Sequence, residues 1–206
     1  MPFLRALTLD TKVTLNNGVE IPIFGLGTFQ TQADKETPNA VLYALEAGYW
    51  HVDTAEAYGN VVDVGIALMK SGIAREEIFI TTKVWNSNQG YKSTLAACNA
   101  SLEKLEIAYI DFNLIHWPVE GQRNETWRAL KYLLEEGKTR AIGVSNYMIW
   151  HLKELLVQSS TIPTINQVEF SLYIYQEDLL DFCRSNKIIL EAYSPLNTKS
   201  IKNAGC

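Results

Sequence analysis

Four side chains stand out by type and by place: Asp53, Tyr58, Lys83 and His116. Asp53 closes the short apolar run His51-Val52-Asp53, and Tyr58 follows in the loop Thr54-Ala55-Glu56-Ala57-Tyr58-Gly59-Asn60. Lys83 ends the run Ile78-Phe79-Ile80-Thr81-Thr82-Lys83, and His116 ends the run over residues 110–116. Together they form a proton-transfer set. A free phenol has a pKa of about 10 and is a sluggish acid at neutral pH. An ammonium beside it favours the phenolate, so a lowered pKa is expected for Tyr58 if Lys83 lies close. An aspartate would hold that lysine charged and in place, and a histidine can orient a carbonyl oxygen. The product is an acid aimed at an oxygen that turns negative, as one does when hydride reaches the attached carbon.

Each residue also has a purely structural reading. Asp53 suits a helix cap or a turn. Lys83 could snorkel from a strand end. His116 and Tyr193 could be core, and Ser145-Asn146 could cap the helix that follows. What speaks for chemistry is recurrence. Asp53, Lys83, His116, Ser145-Asn146, Gln167 and Tyr193-Ser194 fall at or near the ends of successive apolar runs, where structure alone requires no polar group.

The elements that must position them alternate. Residues 12–23 alternate apolar and polar around Asn16-Asn17-Gly18, a hairpin signal. Phe24-Gly25-Leu26-Gly27-Thr28-Phe29 reads as a first buried strand. Helices are expected over residues 37–48, 60–71, 91–105, 124–136, 147–158 and 177–185, several stopped by a glycine (Gly48, Gly72, Gly137). Strands are expected over 49–54, 78–83, 110–116, 139–145, 164–169 and 188–193. Such alternation implies one parallel sheet with helices outside it. A doubly wound sheet concentrates its site at the first strand-helix turn and the switch point. A barrel spreads it over the C-terminal ends of many strands, which is the pattern here.

Once these motifs are assembled, the sequence resembles the aldo-keto reductases. The matching stretches are Gly25-Leu26-Gly27-Thr28, Asp53-Thr54-Ala55 with Tyr58-Gly59-Asn60, Thr82-Lys83, Leu114-Ile115-His116-Trp117-Pro118, Glu136-Gly137-Lys138, Ile142-Gly143-Val144-Ser145-Asn146, Asn166-Gln167 and Tyr193-Ser194-Pro195-Leu196. The resemblance implies an α/β fold of the TIM type, a single (β/α)8 barrel domain with an N-terminal β-hairpin. It implies reduction of aldehydes or ketones with NADPH, NADH being the other nicotinamide candidate. By the same resemblance Tyr58 is the proton donor, Asp53 and Lys83 tune it, and His116 orients the substrate. Ser145, Asn146 and Gln167 would hold the nicotinamide carboxamide and Tyr193 would stack on its ring. Gly27, Thr28, Asp53, Ser194 and Leu196 complete the expected cofactor set. Phe29, Trp85 and Trp117 are expected to wall the substrate pocket beside Tyr58 and His116.

The sequence departs from the family pattern in places. Val61 stands where a glutamate is frequent, and Phe170-Ser171-Leu172-Tyr173 where a His-Pro pair is frequent. Seven core strands are counted before the last residue, Cys206, so the last strand-helix unit is expected to be missing. Lys199 and Lys202 remain as candidate charges near a phosphate. The alternative function is a shortened, catalytically weak or inactive relative that acts as a binding or interaction module. Self-association is expected of a truncated barrel, and a monomer of a complete one.

Composition narrows the classes. Of 206 residues, 47% are hydrophobic and 20% charged, the range of soluble globular proteins. The formal net charge of -5, without a basic run, gives no support for nucleic-acid binding. No apolar run approaches the roughly 18 residues of a membrane span. Cys98, Cys183 and Cys206 read as free thiols of a cytoplasmic protein, with no metal site. The expected partner is a small carbonyl compound.

Overall fold

The computed structural model describes residues 7–196, so Lys199, Lys202 and Cys206 lie outside the described part. Lys12–Thr14 (β1) and Glu20–Pro22 (β2) pair antiparallel around the expected turn, where Gly18 takes φ +87°. Leu15 and Ile21 are buried and pack with Phe79, Phe112, Leu114, Ala141 and Ile165. Asn16 Nδ2 donates to the carbonyls of Pro163 and Lys187, and Asn17 Nδ2 donates to that of Arg140. Those carbonyls lie at the beginnings of strands in the main sheet. The hairpin therefore closes the N-terminal end of that sheet, and its two apolar side chains fill the end.

The rest is a strand-helix succession: Leu26–Gly27 (β3), Glu36–Glu46 (α1), His51–Asp53 (β4), Val61–Ser71 (α2), Phe79–Val84 (β5), Tyr91–Leu105 (α3), Ile110–Ile115 (β6), Arg123–Glu135 (α4), Thr139–Ser145 (β7), Ile149–Gln158 (α5), Ile165–Glu169 (β8), Glu177–Ser185 (α6) and Ile189–Tyr193 (β9). Strands β3 to β9 form one sheet, every pairing parallel and in sequence order. A doubly wound sheet would reverse direction partway along. This one does not, and it curls: Gln167 on β8 donates to Asp53 on β4 at 2.8 Å, across the interior. It is the (β/α)8 barrel architecture with seven parallel strands among the described residues, β3 and β9 forming the two edges.

Two expectations need correction. The first barrel strand is two residues long, and the aromatics flanking it, Phe24 and Phe29, are exposed. Both find aromatic partners instead: Phe24 lies 5.1 Å from Tyr49 and Phe29 5.1 Å from Tyr58, centroid to centroid. An edge strand has one pairing neighbour, so its apolar pattern need not mean burial. Ser145-Asn146 does not cap a helix either, because α5 starts only at Ile149.

The helices bury their apolar stripes against the outside of the sheet. Leu102, Trp127, Leu130, Leu152 and Leu155 form one cluster with Ile110, Ile115, Ile142 and Val144. Inside, Phe79, Phe112, Leu114, Ala141 and Ile165 make an apolar floor over the hairpin. Gly143 is needed in that floor. A Cβ there would stand 2.7 Å from the Ile165 carbonyl oxygen and 2.8 Å from Phe112 Cζ. Gly143→Ala is expected to cost about 1–3 kcal/mol of stability by overpacking. A thermal melt of the variant beside the parent chain checks this, and an unchanged melting temperature contradicts it.

Candidate active site

Above the floor, towards the C-terminal ends of the strands, the interior turns polar. Strand alternation puts His51 and Asp53 of β4, Thr81 and Lys83 of β5, and Gln167 of β8 on the inner face. Lys83 is 1% exposed, so it does not snorkel. Its ammonium forms an ion pair with Asp53, donates to the Thr54 carbonyl at 3.2 Å and reaches the Tyr58 hydroxyl at 3.2 Å. The second carboxylate oxygen of Asp53 accepts from Gln167 Nε2. Asp53 is thus an inward ligand of a buried cation and not a cap.

Tyr58 closes a 3₁₀ turn, Glu56–Tyr58, which ends at Gly59 in the left-handed region. Two side chains hold this turn. Glu56 accepts from the Trp85 backbone N–H at 3.1 Å and from Asn88 Nδ2 at 2.9 Å. Asn60, buried, donates to the Thr28 carbonyl and to Thr31. The turn bearing Tyr58 is thereby joined to the loop bearing Phe29 and to the one bearing Trp85. His116 lies edge-on to Tyr58 at 5.9 Å and to Trp85 at 4.9 Å. Its Nδ1 is buried with no hydrogen-bond partner among the described residues, so it is not a satisfied core histidine. Trp117 is exposed beyond it at the mouth, and its carbonyl accepts from Gln89 Nε2.

Of the expected cofactor residues, Ser145, Asn146, Gln167 and Tyr193 are linked to one another on the other side of the mouth, whereas among the described residues Gly27, Thr28, Ser194 and Leu196 are not joined to them by side-chain hydrogen bonds. Ser145 Oγ donates to the Gln167 carbonyl at 2.9 Å. Asn146, with φ +62°, donates from Nδ2 to Ser145 Oγ and to the His116 carbonyl, and its Oδ1 accepts from the Tyr193 hydroxyl. Tyr193 is half-buried at the end of β9. Gly27 is exposed beside Asp53, whereas Thr28 is fully buried with its hydroxyl on the Asp53 carbonyl. Ser194 and Leu196 are exposed just past β9. Hydroxyl and carboxamide groups beside an aromatic ring are chemically suited to a nicotinamide carboxamide and its ring.

The electrostatics depart from the expectation in one respect. Burial raises the pKa of Tyr58, and although Lys83 pulls it down, the net shift is upward. Burial also works against the Lys83 ammonium, but Asp53 and Tyr58 outweigh it and its pKa is raised. Burial, reinforced by Lys83, lowers His116 to about 4, so its ring is neutral at pH 7. Cys98 and Cys183 are buried and free, both thiols pushed up to about 11, chiefly by burial, and so unreactive.

Two interior groups were not singled out in the sequence. His51 meets Thr81 Oγ1 through Nε2 at 2.8 Å, and burial lowers its pKa to about 4. Glu191 faces inward from β9, opposite Gln167. A charged residue two positions before Tyr193 in an apolar strand was the available signal. His51, Asp53 and Glu191 bring ligand-type atoms within 4.8 Å of one another, but the cation that Asp53 holds is the Lys83 ammonium.

The fold is thus a parallel (β/α) barrel that gathers lysine, aspartate, tyrosine and histidine at its C-terminal mouth. The aldo/keto reductase family model matches residues 23–204, and the chain belongs to that family of oxidoreductases. It is 50% identical over 189 residues to the glyoxal reductase of Bacillus subtilis, an alignment covering 92% of this chain and 68% of that protein. The crystal structure of an aldo/keto reductase from Brucella melitensis superposes with a TM-score of 0.88 at 46% identity, covering 94% of this chain and 78% of the other. A Bombyx mori aldo-keto reductase in complex with NADP gives a TM-score of 0.85 at 35% identity, covering 91% and 67%. Among the described residues no helix is long and apolar enough to cross a membrane.

Removing one member of the buried ion pair strands the other. Lys83→Met is expected to cost about 3–5 kcal/mol, because the Asp53 carboxylate then lies in the interior without its cation. The double variant with Asp53→Asn is expected to recover much of that loss. Urea denaturation of the single and double variants measures the coupling, and additive losses would contradict it.

Proposed function

We propose that the chain reduces aldehydes or ketones to alcohols with NADPH, Tyr58 giving the proton. The observation that carries this reading is the Lys83 ammonium 3.2 Å from the Tyr58 hydroxyl, with a neutral histidine ring edge-on to the same tyrosine. NADPH is favoured over NADH by the NADP bound to the Bombyx mori relative. Ser145, Asn146 and Gln167 would hold the carboxamide, with Tyr193 against the ring. Gly27, Thr28, Asp53, Ser194 and Leu196 complete the proposed contact set. The nicotinamide supplies hydride when it is bound.

The protein's own residues do the rest. His116, neutral, orients the carbonyl oxygen towards Tyr58. Tyr58 passes its hydroxyl proton to that oxygen as negative charge gathers there. The Lys83 ammonium stabilises the tyrosinate as it forms, and Asp53 keeps Lys83 in place. Phe29, Trp85 and Trp117 stand at the mouth as walls for a small carbonyl compound and shield the reacting oxygen from water. Free, buried Cys98 and Cys183 fit a reducing cytoplasm as the place of work.

Tyr58→Phe is expected to lower NADPH-dependent reduction of a generic aromatic aldehyde by about 10² to 10⁴-fold, the usual worth of a general acid. Cofactor affinity, read by NADPH fluorescence, is expected to hold, since the phenol is not among the proposed cofactor contacts. Reduction at near-parental rates in this variant refutes Tyr58 as the donor.

A further inference from the structure

Glu191 is an interior ionisable group for which the proposed reaction has no use. It sits on β9 in register with Gln167 and two residues below Tyr193, on the inward face. Because β9 is an edge strand, the residue as a whole is partly exposed. Its Oε2, however, is cut off from solvent and has no hydrogen-bond partner among the described residues. An Oε atom of Glu191 lies within 4.8 Å of an Asp53 carboxylate oxygen and of a His51 ring nitrogen. Two carboxyls therefore stand side by side, and one of them, Asp53, holds the Lys83 ammonium.

We propose that Glu191 is a positioning residue for the Tyr58 proton: its carboxyl stands beside the Asp53 carboxylate that holds the Lys83 ammonium, and its charge sets how strongly that ammonium favours release of the proton. This rests on the reading of Tyr58 as proton donor. The reasoning is one of charge balance. Asp53 is committed as a carboxylate, since it accepts from both Lys83 and Gln167. With Glu191 protonated, the pair beneath Tyr58 is neutral overall. With Glu191 ionised, that region carries net negative charge, which opposes the tyrosinate that reduction must build. Two neighbouring carboxyls do not ionise together cheaply, so the one without a cation of its own takes the proton.

The groups facing Glu191 leave it as the one that switches. From β4 it faces Asp53 and His51, from β5 Lys83, and from β8 Gln167, with Glu169 one layer higher opposite Tyr193. His51 is neutral above pH about 4, and Lys83 has a raised pKa and stays charged. Burial, then the charge of Asp53, pushes Glu191 up to about 7 against the pull of Lys83 and Gln167. The sign follows. Below that value Glu191 is neutral and Tyr58 is the stronger acid. Above it Glu191 is charged, Tyr58 holds its proton more tightly, and reduction slows. At an effective dielectric near 20 a charge gained that close to the ion pair changes a rate several-fold to about tenfold.

The test uses the 206-residue chain with ¹³C-labelled tyrosine ring carbons and glutamate carboxyls, followed by NMR against pH without cofactor. In the parent chain one glutamate carboxyl is expected to titrate near pH 7, and the Tyr58 Cζ signal to show a small step at the same pH. In Glu191→Gln both features vanish, and the high-pH titration of Tyr58 itself moves to lower pH. Single-turnover aldehyde reduction is expected to fall several-fold to about tenfold between pH 6 and 8 in the parent, a step that Glu191→Gln lacks. A Glu191 carboxyl titrating at the ordinary value near 4.5, or a Tyr58 signal without a step near pH 7 in the parent chain, overturns the proposal. The parent-chain measurement decides even where the variant does not fold. Absence of aldehyde reduction at every pH defeats the proposed function and leaves the NMR coupling to be judged separately.

Discussion

A single ammonium inside an apolar barrel sets most of the conditions that the rest of the structure meets. Lys83 is fully buried, and an unpaired charge there would lose far more hydration than a fold of this size could offset. The three groups it touches answer that demand. Asp53 pairs with it, the Thr54 carbonyl accepts from it, and the Tyr58 hydroxyl takes the remaining direction. Asp53 in turn needs a second donor, which Gln167 supplies from the far side of the barrel. The pairing thus ties β4, β5 and β8 together through side chains as well as through the sheet.

The floor below makes that arrangement possible. The β1–β2 hairpin closes the N-terminal end, and Leu15 and Ile21 join the apolar layer of Phe79, Phe112, Leu114, Ala141 and Ile165. Water is kept from reaching the ion pair from beneath, so its electrostatics act in a low-dielectric setting. Among the described residues the C-terminal mouth is open, with Tyr58, Trp85 and Tyr193 half-buried and Phe29 and Trp117 exposed around it. Strand alternation does the sorting. One residue points into the helices and the next into the barrel, so a single polar residue at the right parity reaches the centre.

Much of this was legible in the sequence. Asp53, Lys83 and His116 end apolar runs, and Tyr58 follows such an end, so the set could be assembled without coordinates. The parallel order of the strands followed from the strand-helix alternation, and the hairpin from Asn16-Asn17-Gly18. What failed to show depended on contacts across the fold. Phe24 to Phe29 looked like a buried strand because the apolar pattern does not reveal which strand is an edge. Ser145-Asn146 looked like a cap because the chain turns away from helix before α5 begins, with Asn146 in the left-handed region. Glu191 was passed over because nothing local shows that β9 curls back to face β4.

The direction of the Tyr58 shift carries the last step. Proximity to a lysine led to the expectation of a lowered pKa, yet burial prevails and the phenol holds its proton more firmly than in water. For a proton donor this is no handicap. A donor with a lowered pKa would spend part of its time as tyrosinate at neutral pH, unable to donate. A raised pKa keeps Tyr58 protonated in the resting state. Lys83, 3.2 Å away, gains little from the neutral hydroxyl and much from the charge that grows as the proton leaves. An interaction that strengthens only as the reaction proceeds lowers the barrier without stabilising the starting state. In the proposed reaction, burial and the nearby ammonium therefore act on different points of the reaction coordinate.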